Sequence, residues 1–231
     1  MSLDSQGTLG KSTAPRGVLV SDYDGTMTRH DFYELAIAEL VPPGTPDYWG
    51  HFLSGGGMSV FEVLSKIFAS IRADEQAILE TARRCQLSSG LGASMKRLQQ
   101  AGWKIVVASA GCGWYIERIL GEAGVTDVEI HANPGRVIPG GGLEMTRPQG
   151  SPFHSQNVGI DKAAVVQAQR AYGCPVAFAG DGKPDFAASL VVPASLRFAR
   201  ADLAEKLRAH GETYQPFQDW TEVADALLAL S

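Results

Sequence analysis

Short unbroken apolar runs alternate along this chain with longer stretches of helical spacing. GVLV at 17–20, KIVVAS at 104–109 and PVAFAG at 175–180 are continuous rather than alternating. Such runs predict strands buried on both faces. VEIHA at 128–132 and LVV at 190–192 predict two weaker strands, and helical periodicity covers 93–101, 114–123, 161–172 and 201–209. Strands alternating with helices imply an α/β fold with a mostly parallel, doubly wound sheet, whose ligands gather at the carboxyl ends of the strands.

Residues 31–85 interrupt that alternation. DFYELAIAEL, SVFEVLSKIFASI and DEQAILETARRC all read as amphipathic helices, punctuated by Pro42, Pro43, Pro46 and Gly55-Gly56-Gly57. The expectation is a helical insertion after the first strand, placed to cover the strand ends. PGGGLEMTRP at 139–148 predicts a hairpin or loop, and residues 1–15, without an apolar core, predict a loose tail.

Composition narrows the function more than the fold. With 45% hydrophobic and 19% charged residues among 231, the chain suits one soluble domain with a modest insertion. A net charge of -5 gives no basic footprint for nucleic acid, so an anionic substrate needs local positive charge. Three scattered cysteines, Cys85, Cys112 and Cys174, favour a reducing cytoplasm over a disulfide framework or zinc site. No apolar run approaches the ~18 residues of a membrane helix. Oligomeric state is not legible.

The chemistry concentrates where three runs end. Val20-Ser21-Asp22-Tyr23-Asp24-Gly25-Thr26 places two carboxylates one residue apart, and Gly180-Asp181-Gly182-Lys183-Pro184-Asp185 places two more at another strand end. A divalent cation shared by Asp22 and the second acid pair turns repulsion into chelation, and Mg²⁺ takes one or two carboxylates plus phosphate oxygens and water. Asp22 beside it suits a carboxylate nucleophile for phosphorus, and Asp24 a general acid and base once the chain bends at Gly25. Ser109 and the amides that follow it offer donors to a phosphoryl group, and Lys162 offers a charge. Bland readings exist for several of these. Asp22 and Asp24 also suit turn residues, Asp185 a helix cap for FAASL, and Asp31 with Glu34 a capping box.

Taken together the pattern resembles the haloacid dehalogenase-like superfamily. Asp-x-Asp-Gly-Thr at 22–26, Ser109 in VVASAG, Lys162, and Gly-Asp-Gly-Lys-Pro-Asp at 180–185 match its four motifs in order. The resemblance implies a Rossmann-like core over 16–29 and 89–231 with a helical cap of the C1 type over 30–88. It implies Asp22 as nucleophile and Asp24 as general acid and base. Mg²⁺ would be held by Asp22, the Asp24 carbonyl and Asp181, with Asp185 in support. Ser109, Ala110, Gly111 and Lys162 would bind the phosphoryl group of a small phosphorylated metabolite. An acid at position 24 points to a phosphatase, since dehalogenase members have no leaving oxygen to protonate. Within the phosphoserine-phosphatase-like branch, LSGGGMSVFEVLSKIF and the RFARADL region are most similar to the methionine-salvage phosphatases of diketo-methylthiopentyl phosphate. Asp31, a candidate substrate-binding residue, stands where phosphoserine phosphatases carry a glutamate that grips the substrate amine, and its shorter side chain matches the salvage branch better. Pro184, and Ala110-Gly111-Cys112 after Ser109, also depart from pattern, which leaves the substrate open between a salvage phosphate, phosphoserine and another phosphometabolite.

Rival chemistries fit less well. Gly111-Cys112-Gly113 lacks the third glycine of a dinucleotide loop, where Ile116 stands, and Val107 replaces the first glycine of a nucleophile elbow. A non-catalytic phospho-ligand binder has no need of Asp24. Arg29, His30, Trp49, His51 and Arg72 are candidates to line the cap pocket.

Overall fold

The computed structural model describes residues 14–230, so the tail expected over 1–15 lies outside the described residues except for Ala14 and Pro15. Strand β1 (Gly17–Ser21) leads into four helices, α1 (Phe32–Glu39), α2 (Tyr48–Leu53), α3 (Val60–Ala69) and α4 (Glu75–Arg84). Then come α5 (Leu91–Gln100), β2 (Trp103–Cys112), α6 (Gly113–Glu122) and β3 (Glu129–Asn133). Two hairpins follow, β4 (Gly135–Val137) with β5 (Leu143–Met145), and β6 (His154–Ser155) with β7 (Gly159–Ile160). The chain closes with α7 (Lys162–Gln169), β8 (Val176–Gly180), α8 (Phe186–Ser189), β9 (Arg197–Ala199), α9 (Ala201–Ala209), β10 (Gln215–Pro216) and α10 (Trp220–Ala229).

The main sheet has the order β10-β9-β8-β1-β2-β3, and every pairing in it is parallel. Its unbroken apolar runs have a direct cause. On β1, Val18 and Val20 join one core with Val106, Phe178 and helices α7 to α9, whereas Leu19 joins the other with Ile105, Val107 and Ala177. With both faces buried, neither parity of position can be polar. Register then builds the site: Ser21 lies opposite Val107 on one side and Ala179 on the other. Asp22 and Asp181 therefore leave the sheet at the same end, and Ser109 stands where β2 breaks register with β3 after Ala108.

The helical insertion forms as the periodicity implies, α3 beginning with a complete Ser59/Glu62 capping box. Its two connections run side by side, joined by an antiparallel bridge between Thr28 and Leu87, with Ser88 N–H donating to the Met27 carbonyl at 2.9 Å. On its far side, Phe61 N–H donates to the Asn157 carbonyl in the β6–β7 turn at 2.8 Å. The Arg147 guanidinium stacks 4.2 Å from the Phe61 ring.

Two local expectations fail. LVV at 190–192 is not a strand. The Arg197 guanidinium takes the Ser189 and Val192 carbonyls at 2.8 and 3.2 Å, Pro193 has no N–H for a ladder, and the strand begins at Arg197 instead. The Asp31 capping box is also absent: the Asp31 side chain makes no cap hydrogen bond, and Glu34 accepts from the Tyr33 hydroxyl instead. Helices α2 and α10, hairpin β6–β7 and strand β10 are additions to the elements read from the pattern.

Candidate active site

Asp22, Asp181 and Asp185 meet at the carboxyl end of the sheet, each offering a carboxylate oxygen within 4.8 Å of the others. Lys162, the first residue of α7, enters among them, its Nζ 2.8 Å from Asp22 Oδ1 and 2.5 Å from Asp185 Oδ1. A cation at a helix N-terminus opposes the macrodipole by ~0.3–1 kcal/mol, which these buried partners outweigh. The cap of α7 is Asp161, which accepts from Ala164 N–H.

Each acid is fixed by its own loop. Asp22 Oδ1 accepts from Tyr23 N–H at 2.7 Å. Asp185 does not cap α8. Its Oδ2 accepts from the backbone N–H of Asp181 and Gly182, both at 3.0 Å, closing the loop on itself. Asp181 Oδ1 accepts from the Thr26 hydroxyl at 2.7 Å. Gly25 makes that approach possible, since its φ is +70° and a Cβ would lie 2.3 Å from Asp181 Oδ2.

The electrostatics are those of a site short of positive charge. Burial, then Asp185, holds the Asp22 carboxyl well above the usual carboxylate range, against the pull of Lys162. Burial and Asp185 likewise raise Asp181 to about 7. Burial alone would depress Lys162, but Asp185 and Asp22 overcome it and hold the ammonium above its ordinary value. Three carboxylates facing one ammonium suit a hard divalent cation with oxygen ligands.

Asp24 lies outside that cluster. Beyond the bend at Gly25, its Oδ2 accepts from the Tyr115 hydroxyl at 2.6 Å and its Oδ1 from Phe32 N–H at 3.2 Å. Burial raises it to about 6, against these two donors. Ser109 is buried, and its Oγ accepts from Gly111 N–H at 2.9 Å. The adjacent Ala110 carbonyl accepts from Asn133 Nδ2 at 2.7 Å, an amide that also reaches the Val158 carbonyl at 3.3 Å, upstream of Lys162. Asp31 is raised to about 8, first by burial and then by Asp24 and Asp181.

The other cap candidates separate. Arg72 caps the end of α3, its Nη1 donating to the Ala69 and Ile71 carbonyls. Arg29, His30 and His51 are exposed, and Trp49 stacks on Tyr33 with ring centroids 4.2 Å apart. Sequence reasoning assigned no role to Thr26, Tyr115 or Asn133, which hold the site acids and the loop after Ser109. Thr26 lay inside the first motif, whereas Tyr115 and Asn133 carry no local signal. It also missed Trp220, whose Nε1 donates to Ser21 Oγ at 3.0 Å beside Asp22.

A parallel sheet with Asp22, Ser109, Lys162 and the Asp181–Asp185 loop gathered at its carboxyl end fits a hydrolase of the haloacid dehalogenase type. The chain belongs to the haloacid dehalogenase-like hydrolase family, whose model matches residues 19–189. It is similar to the 2-hydroxy-3-keto-5-methylthiopentenyl-1-phosphate phosphatase of Brevibacillus brevis, with 26% identity over 87% of this chain and 92% of the relative. The enzyme of the same name from Exiguobacterium sibiricum is 23% identical over 90% of this chain and 95% of its own. A phosphoserine phosphatase solved as a phospho-aspartyl intermediate analogue shares the fold, with a TM-score of 0.65 and 17% identity over 91% of this chain and 98% of that one. Among the described residues no helix is long and apolar enough to cross a membrane.

Proposed function

We propose that this protein is a Mg²⁺-dependent phosphatase that hydrolyses a small phosphate monoester through a phosphorylated Asp22. The observation that carries the reading is the convergence of Asp22, Asp181, Asp185 and Lys162 from separate strand ends into one buried cluster.

Asp22 attacks phosphorus, and the ester P–O bond breaks with its electron pair leaving on the alcohol oxygen. Asp24 supplies the proton that oxygen takes. Water then attacks the aspartyl phosphate, gives its proton to Asp24, and the bond to Asp22 breaks, releasing phosphate. Ser109 Oγ already accepts the Gly111 N–H, so its own proton is free to face a phosphoryl oxygen beside the Ala110 amide. Lys162 favours the ionised form of Asp22 against burial and Asp185, and offsets charge on the phosphoryl group. Asp22, the Asp24 carbonyl and Asp181 would hold Mg²⁺, with Asp185 in support, and the ion would supply Lewis-acid neutralisation of phosphate charge.

We assign residues 30–88 as the cap and 16–29 with 89–231 as the core, the cap excluding stray water during turnover. A methionine-salvage-type sugar-like phosphate is the favoured substrate. The named relatives support it, as does Asp31, which stands where phosphoserine phosphatases carry a longer glutamate and is buried near the charges of Asp24 and Asp181. Three free cysteines among the described residues suit the cytoplasm.

The test is phosphate release across a panel of small phosphate esters with Mg²⁺ or EDTA. Release that needs Mg²⁺ and disappears in Asp22→Asn is expected. No release from any ester with Mg²⁺ present would refute the reading in favour of a phospho-ligand binder.

A further inference from the structure

Asp24 is gripped from two sides. Tyr115, on core helix α6, donates to Oδ2, and the first N–H of insertion helix α1, at Phe32, donates to Oδ1. The phenol has no room to swing away. Tyr115 is 1% exposed, and its ring packs against Phe32, Tyr23 and Phe68, with centroids 4.3, 6.1 and 6.3 Å away. Two of those rings, Phe32 and Phe68, belong to the insertion. The hydroxyl is thus carried by a ring wedged between core and insertion.

Gly111 makes the contact possible. A Cβ there would stand 2.2 Å from Tyr115 Oη, 2.6 Å from Asp24 Oδ2 and 3.1 Å from Ser109 Oγ. Three oxygens close around one bare Cα, on the same loop whose N–H holds Ser109. No left-handed backbone conformation is recorded at this glycine, so its role is space. Any side chain would drive the phenol and the carboxylate apart.

We infer that Tyr115 is a positioning residue for Asp24, fixing the carboxylate in register with the insertion so that it reaches the leaving oxygen, and that Gly111 is the gap through which it does so. The inference rests on Asp24 acting as general acid and base. An acid catalyst must lie within about 2.6–3.2 Å of its proton's destination, so a freely rotating carboxylate loses rate without losing substrate. Tyr115 touches neither substrate nor reacting atoms in this account. It acts only through Asp24.

The experiment compares Tyr115→Phe, Asp24→Asn and the double variant with two substrates, an alkyl phosphate and p-nitrophenyl phosphate. Phenylalanine keeps the packed ring and removes only the hydroxyl. For the alkyl ester, whose leaving oxygen needs a proton, kcat/KM should fall ~10-fold through kcat, with KM within about twofold, a fraction of the 10²–10⁴ that acid–base catalysis supplies. For p-nitrophenyl phosphate, whose leaving group departs unprotonated, the fall in kcat/KM should stay within about threefold. In the Asp24→Asn background Tyr115→Phe should cost nothing further, because its effect passes through the missing carboxylate. Equal losses of kcat/KM on both esters, a loss that adds fully to Asp24→Asn, or a rise in KM at constant kcat would each overturn the role and mark Tyr115 as packing. If wild-type turnover survives Asp24→Asn, the acid–base assignment falls and takes this role with it. If Asp24→Asn is inactive on the alkyl ester while Tyr115→Phe is indifferent, this role alone falls.

Discussion

Lys162 Nζ lies 2.8 Å from Asp22 Oδ1, with both side chains almost wholly buried. The pair anchors the charge balance of the site, and the third partner, Asp185, leans on the same ammonium. Lys162→Met should therefore leave two buried carboxylates uncompensated. Breaking a buried pair from one side costs about 3–5 kcal/mol. In EDTA the melting temperature should fall by roughly 10 °C, given the usual ~2–4 °C per kcal/mol at this size. An unchanged melt would mean that the acids are not charged partners of the lysine.

Asp22→Asn separates catalysis from stability. Phosphate release should drop by at least ~10³-fold, as when a nucleophile is removed. The metal-free protein should melt no lower than wild type, because the change removes a carboxylate that burial and Asp185 already disfavour while Lys162 keeps its pair with Asp185. Beryllofluoride with Mg²⁺ should protect wild type against unfolding and leave the variant unaffected. Protection of both would detach the binding from Asp22.

Metal should stabilise the fold by mass action. At a hundredfold excess over its Kd, Mg²⁺ is worth about 2.7 kcal/mol, seen as a higher melting temperature that EDTA reverses. Asp181→Asn should shrink that shift while leaving the Thr26 contact a partner in the amide oxygen. A full Mg²⁺ response in the variant would exclude Asp181 from the ligand set.

Asp31 gives the pH dependence a sign. Its folded-state value near 8 lies above the ordinary carboxylate range, so the folded chain holds its proton more tightly than the unfolded one. Below about pH 4 both states are protonated and the residue costs nothing. As pH rises toward 8 the unfolded state ionises first, and stability is lost across that window. Asp31→Asn should thus melt with wild type near pH 4 and above it near pH 8 in metal-free buffer. Its KM for the preferred phosphate ester should rise. A constant difference in melting temperature across that range would dismiss the burial cost.

Much of this was legible because parallel strands advertise themselves. GVLV, KIVVAS and PVAFAG are apolar on both parities, and the acids stand where those runs stop. The parts that stayed hidden depend on long-range contacts. Trp220 reaches Ser21 and Tyr115 reaches Asp24 across large separations in sequence, and neither residue differs locally from ordinary core. LVV misled because three apolar residues suffice for a strand pattern, while the carbonyl-gripping side chain of Arg197 lies outside any such window. The DFYE stretch misled because Asp31 faces an acidic interior rather than its own helix end.

The bridge between Thr28 and Leu87 brings the exit and re-entry of fifty-odd residues to a single doorway. Between the fixed contacts at Phe32, Phe61 and Phe68, what lies beyond that doorway can lengthen or shorten without stretching the sheet below. A graft made at these two positions would have to bring residues equivalent to Phe32 and Phe68 with it, because Asp24 and Tyr115 below lean on them.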